Sequence, residues 1–208
     1  MEHLNNELKR FLSIYSKRNT NESNLEISIG NSLGKYIFDT NVSNKYWKKI
    51  CNKLEGNGEY TVRREFEYKI YTDFNMKLYK GADKTKCIES NVTEQSLCYN
   101  NTSAFDYKIT LCDKKPVNIA NFPSKYDYHG VVNRHTVSYN FENQFYINVS
   151  SVESVEIGRS YHTITILLAK NTKASRNIIL KNIMRQIREI SGVIKTKTEA
   201  FNIFKIKG

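Results

Sequence analysis

The chain has 208 residues, 39% of them apolar and 25% charged, with a formal net charge of +11. This composition excludes a disordered chain, and no stretch approaches the ~18 apolar residues of a membrane-spanning helix. The basic excess suits a polyanionic partner, or else reflects a composition rich in Lys, Asn, Ile and Tyr.

No basic segment followed by an apolar run stands at the start, and Cys51, Cys87, Cys98 and Cys112 lack CxxC spacing. The expectation is an intracellular protein, cytoplasmic or nuclear, with free thiols and no membrane. Residues 4–17 put Leu4, Leu8, Phe11, Leu12 and Tyr15 at helical spacing. A polar linker follows over 18–23. The pattern leaves open whether this helix packs back on the rest of the chain or docks on another protein. "LEISIG" (25–30) alternates and predicts a strand.

Residues 42–58 predict a second helix, with Ser43 as N-cap and Tyr46, Trp47, Ile50 and Leu54 on its apolar face. Gly56 or Gly58 ends it. From Tyr60 to Leu168 the sequence is strand-rich, with breaks at 72–75, 81–84, 114–116 and 121–130. About eight strands with short returns point to antiparallel pairing, and closure into a barrel would remove exposed edges. Residues 174–193 predict a helix with Ile179, Ile183, Ile187 and Ile190 on one stripe, and 200–208 read as a last strand.

The order of "LEISIG", "VSNKYWKKI", "FDYKITLCDKKPV", "RHTVSYNFENQFYINVSSV" and "YHTITILL" is similar to that of the metal-dependent RNA 5′-triphosphatases of fungi, protozoa and large DNA viruses. These are members of the triphosphate tunnel metalloenzymes. The resemblance spans about residues 24 to 168. It implies an α+β, mainly β fold: an antiparallel eight-stranded tunnel-like β-barrel with flanking helices. It divides the chain into a helix and linker (1–23) and a barrel domain (24–208) carrying the C-terminal helix. The composition suits a large DNA virus.

In that family two Glu-x-Glu strands point four carboxylates into the tunnel, because side chains two apart share a strand face. They hold Mn²⁺ or Mg²⁺, a hard ion that prefers oxygen ligands and activates water at the γ-phosphate. Lys and Arg clamp the triphosphate. Carried onto this chain, the pattern keeps Glu26 but has Ser28 at the second position. The last glutamate strand becomes Tyr161–Leu168, which has no acid and only His162 as an ionisable group. Tyr146 and Asn148 replace an arginine and an aspartate. Arg134 and Lys108 match basic positions, Thr136 replaces a second cation, and a Lys/Arg cluster near 88–93 has become "IESNVT".

One glutamate does not replace four. The resemblance therefore implies a pseudoenzyme with Glu26 as a remnant, Lys108 and Arg134 as phosphate-binding residues, and no cofactor. It would bind RNA 5′ ends or polyphosphate, or a protein partner in a capping or transcription complex, and an oligomer is compatible with this role. Two alternatives stand beside it. "EFEYK" matches the superfamily's Glu-x-Glu-x-Lys signature, so an active enzyme would hold Mn²⁺ or Mg²⁺ on Glu26, Glu65 and Glu67. The competing reading of "EFEYK" is a solvent-facing strand with alternate charges. A structural barrel with no polyanion role would leave the charge as compositional. His135, beside Arg134, reads as a polar strand residue or a phosphate contact. Tyr68, Tyr71, Phe74 and Tyr79 interleave with lysines as barrel packing or base-stacking groups.

Overall fold

The computed structural model describes residues 1–18, 21–34, 37–100, 104–123 and 130–193, with backbone only for 61–63. The strand expected at 200–208 lies outside these residues. In chain order the elements are α1 (Glu2–Tyr15), β1 (Ser23–Ser32), β2 (Phe38–Asp39), α2 (Asn44–Glu55), β3 (Tyr60–Asp73), β4 (Met76–Lys80), β5 (Thr85–Cys98), β6 (Asp106–Val117), β7 (Gly130–Phe141), β8 (Phe145–Ser154), β9 (Ser160–Leu168) and α3 (Arg176–Ser191). All strand pairings are antiparallel. The ladder runs β1-β6-β5-β4-β3-β7-β8-β9 and closes through β9 back to β1, giving an eight-stranded barrel with β2 as an added strand. The expected mainly β, antiparallel eight-stranded barrel with flanking helices is present.

Three details differ from the sequence reading. The break expected at 114–116 is absent, because β6 continues to Val117 with Lys114, Lys115 and Pro116 paired to Ser90, Glu89 and Ile88 of β5. β5 runs to Cys98, through Asn, Glu, Gln and Ser residues of low strand propensity, because its ladder with β6 overrides local preference. β2 was not expected at all. It closes a hairpin on β1 at Gly30, where a Cβ would stand 2.2 Å from the Asp39 carbonyl oxygen. A glycine is needed for that approach.

Core and lumen are on opposite sides of the barrel wall. Leu25, Ile27 and Ile29 of β1, Tyr107, Ile109 and Leu111 of β6, and Ile164 and Ile166 of β9 point outward and are buried. The apolar stripes of all three helices complete this core. In α1 the stripe is Leu4, Leu8, Phe11, Leu12 and Tyr15, so the helix packs back on the barrel. In α3, Ser175 caps the N-terminus through the Ile178 N–H. Ser43 caps α2 by position, without a capping side-chain hydrogen bond. The fully buried Gln186 is satisfied, donating to Glu59 at 3.1 Å and accepting from the Tyr60 hydroxyl at 2.7 Å.

Because α1 and α3 bury large side chains outside the barrel, Phe11→Ala and Ile187→Ala should each lower unfolding free energy by about 2–5 kcal/mol. Urea denaturation measures this. A near-neutral Phe11→Ala would mean that α1 does not share the core.

Candidate functional site

Strand parity decides which residues line the tunnel. Residues directly opposite in a ladder share a face. Glu26 stands opposite Thr110 on one side and Leu167 on the other. Leu167 stands opposite Tyr146, Tyr146 opposite Asn140, and Asn140 opposite Val62. The face of Glu26 is therefore the face of Arg64, Phe66 and Tyr68 on β3. It is opposite to the outward, helix-covered face, so it is the lumen.

The same walk gives the lumenal charges. Arg64 (β3), Lys77 (β4), Lys86 (β5), Lys108 and Lys114 (β6) and Arg134 (β7) all face inward. Two carboxylates share this face among the described residues, Glu26 and Asp106. Asp106 lies at the end of β6, where it accepts the backbone N–H of Ser32 at 3.1 Å and of Asn100 at 2.8 Å. Glu26 accepts the Ser28 hydroxyl at 3.3 Å. Among the described residues, six cations thus share the tunnel with one carboxylate that is not held by backbone N–H groups.

Among the described residues these cations form no ion pair. Arg134 donates to the Thr163 hydroxyl at 3.2 Å, its Nε is buried without a partner, and it forms no ion pair among the described residues. The Lys77 amine is held below the ordinary lysine range, first by the surrounding wall and then by Arg134 and Lys114, with Glu26 opposing. Lys77 is nonetheless exposed to solvent. The side chain is encircled by protein but wetted, as in a water-filled tunnel, and solvent screening moderates the cost of its charge. Tyr79, beside it, is pushed up by the same enclosure. Facing this basic wall is a neutral one of Thr136, Ser138, Asn148, Ser150 and Thr165, which with Glu26 and Arg134 line a cleft of about 390 Å³.

The expected site residues fall into two groups. Glu26, Lys108 and Arg134 share the lumenal face, as do Ser28, Thr136, Tyr146 and Asn148 at the substituted positions. Lys108 lies toward the β2 end, with its amine 5.4 Å from the Phe38 ring. Glu65 and Glu67 stand opposite Val137 and His135, on the outer face. Their odd parity separates them from Glu26 by the thickness of the wall, so the three carboxylates expected to hold a metal do not converge. "EFEYK" is the exposed strand with alternate charges. His135 shares that outer face. His162 also points outward, against Trp47 at 4.7 Å between ring centroids, where burial lowers its basicity.

The donor set does not fit a divalent metal. Mg²⁺ and Mn²⁺ sites draw on carboxylates, whereas Glu26 has one hydroxyl neighbour and a lysine field. Among the described residues no group of three or more His, Cys, Asp or Glu is placed to hold an ion. Lys77, Lys86, Lys114 and Arg64 were not singled out from sequence. Their signal was period-2 placement of Lys and Arg, which is legible only once each strand's lumenal parity is known.

If the tunnel is cationic as described, Arg134→Met should weaken tripolyphosphate binding about tenfold, the value of one charge-assisted contact. Glu26→Gln should strengthen it by removing a like charge. Titration calorimetry at low salt measures both. Lys77 also has a consequence for stability. Its folded pKa is lowered, so its charge costs stability below that pKa, and the cost is relieved as pH rises toward the ordinary lysine range. Lys77→Met should therefore raise the Tm of the free protein at neutral pH and flatten the alkaline rise in stability, as thermal melts across pH will report.

No protein-family model and no curated protein sequence matches the chain. Solved structures do match. The S. pombe Pct1 RNA triphosphatase superposes with a TM-score of 0.70 at 13% identity, covering 90% of this chain and 92% of that one. A second structure of it, in complex with the Spt5 CTD, gives 0.69 at 13% identity, covering 90% and 92%. The mimivirus capping enzyme triphosphatase gives 0.59 at 12% identity, covering 91% and 98%. In fold, this chain is a closed antiparallel eight-stranded barrel similar to that of these RNA triphosphatases.

Proposed function

We propose that the chain is a catalytically degenerate tunnel protein that binds the 5′ phosphates of RNA, or polyphosphate, without hydrolysing them. The observation that carries this reading is the charge balance of the lumen: six inward cations against Glu26, with Asp106 held by backbone N–H groups. Such a tunnel attracts a polyanion electrostatically. Its described residues lack a carboxylate set that would hold Mn²⁺ or Mg²⁺ and generate a nucleophile at the γ-phosphate. Lys108 and Arg134 act as phosphate contacts, joined by Lys77, Lys86 and Lys114. Glu26 is the remnant of a metal-binding pair and bears no catalytic role.

In this reading the protein is a binding or scaffold subunit in RNA capping or transcription, and its composition suits a large DNA virus. Support for a scaffold comes from the S. pombe triphosphatase, a barrel of the same fold that has been solved in complex with the Spt5 CTD. Among the described residues no helix is long and apolar enough to cross a membrane.

The test is phosphate release from γ-labelled triphosphate RNA and from ATP, with Mn²⁺ or Mg²⁺, for wild type and Glu26→Ala. The expected result is no release above background in either protein, with RNA binding that weakens on a log–log salt slope of about −2 to −4. That slope corresponds to three to six phosphate contacts on a single strand. Metal-dependent release that is lost in Glu26→Ala would make the protein an active enzyme. Absent or salt-independent RNA binding would leave a structural barrel.

A further inference from the structure

We infer that the tunnel mouth carries a nucleobase platform, built on Phe66 and backed by Tyr68, so that the ligand is a nucleotide bearing 5′ phosphates and not inorganic polyphosphate. The inference rests on the polyanion reading of the same tunnel.

The argument begins with the uneven length of the wall. The β3–β4 ladder starts only at Lys69, opposite Lys80. Tyr60–Tyr68 extends past the end of β4, paired to β7 alone. This part of β3 turns its lumenal face toward an opening in the barrel. Arg64, Phe66 and Tyr68 alternate along that face at steps of roughly 7 Å. Tyr68 stands opposite Arg134 in the ladder, and Arg64 lies on the far side of Phe66.

Tyr68 is fixed in place. Its ring meets Tyr79 edge-on at 5.8 Å and 86°, and the Lys86 amine sits 5.3 Å from its centroid. The β4–β5 turn approaches so closely that a Cβ on Gly81 would be 3.0 Å from the Tyr68 ring. Phe66 lies nearly parallel to Tyr68, at 6.3 Å and 15°. It is also 37% exposed, although its strand face is the inner one. Among the described residues Tyr68 is its one ring contact.

Phe66 places a partly exposed ring on a cationic wall, an arrangement open to a stacking partner. It is the arrangement that takes up a base, because a flat π-system stacks on the ring while flanking cations hold the attached phosphates. Arg134 and Lys86 lie on the inward side of the platform and Arg64 on its outer side, so the phosphates have cationic contacts on the inward side. Every base has a π-face, so the platform has no sequence preference of its own.

The test titrates tripolyphosphate, ATP and a short 5′-triphosphate RNA into wild type, Phe66→Ala and Phe66→Trp. The expected result for Phe66→Ala is a loss of about tenfold or more in nucleotide affinity relative to tripolyphosphate, in line with the cost of removing one stacked base. Phe66→Trp should restore the ratio. Its emission should be quenched by the base-bearing ligands and not by tripolyphosphate, with wild type as the Trp47 background. Whichever of ATP and RNA binds tighter names the source of the nucleotide. An equal fall for tripolyphosphate and nucleotides in Phe66→Ala, or no base-specific quenching in Phe66→Trp, overturns the platform while leaving the anion tunnel intact. Failure of wild type to bind any of the three overturns the tunnel reading itself, and the platform with it.

Discussion

The ladder between β1 and β9 is the constraint on which the other features depend. Four residue pairs, Glu26–Leu167 through Ile29–Ile164, join the first barrel strand to the last. Once closed, the sheet has an inside and an outside, and the period of 2 assigns every strand residue to one or the other. The outer positions of β1, β6, β7, β8 and β9 carry the apolar residues that α1, α2 and α3 cover. The core of this protein is therefore not the centre of the barrel. Its centre is free to be polar and charged because hydrophobic burial takes place elsewhere.

That separation explains how a tunnel with so many like charges is tolerated. Burial, and after it the charges of Arg134 and Lys114, hold the Lys77 amine below the ordinary lysine range, while its exposure to solvent screens that field. The helices and the outer wall supply the stability that the cation field reduces. A similar division applies to Arg134, whose unpartnered Nε is a small cost held in a well-packed frame.

The strands and helices were largely legible in the sequence, because alternation and helical spacing are local. The α1 stripe, the α3 stripe and the strands from Tyr60 to Leu168 could be read this way. What was not legible was parity around the closed ring. Glu65 and Glu67 resembled metal ligands because the local pattern Glu-x-Glu is the same on either face. Only the register of β3 on β7 shows that they point outward. Lys77, Lys86 and Lys114 were passed over for the converse reason, since a lysine on a strand has no local mark of facing inward. The absence of acid in Tyr161–Leu168 needed no register to be seen.

The bulge in β5 has a different kind of consequence. Val92 stands opposite Cys112, and Glu94 opposite Leu111, so Thr93 is an extra residue whose hydroxyl bonds to the Leu111 carbonyl at 3.1 Å. By that single insertion Val92 faces the lumen while Glu94 faces α1, where it pairs with Arg10. In a closed ring, residue identity and residue count drift under unequal constraint. Exchanging one side chain for another alters a single point on the wall. Losing one residue from a strand turns the rest of that strand inside out. Carboxylates can therefore disappear from such a barrel one at a time without disturbing its shape, and changes in length are confined to the turns and to the few places where a bulge already absorbs one.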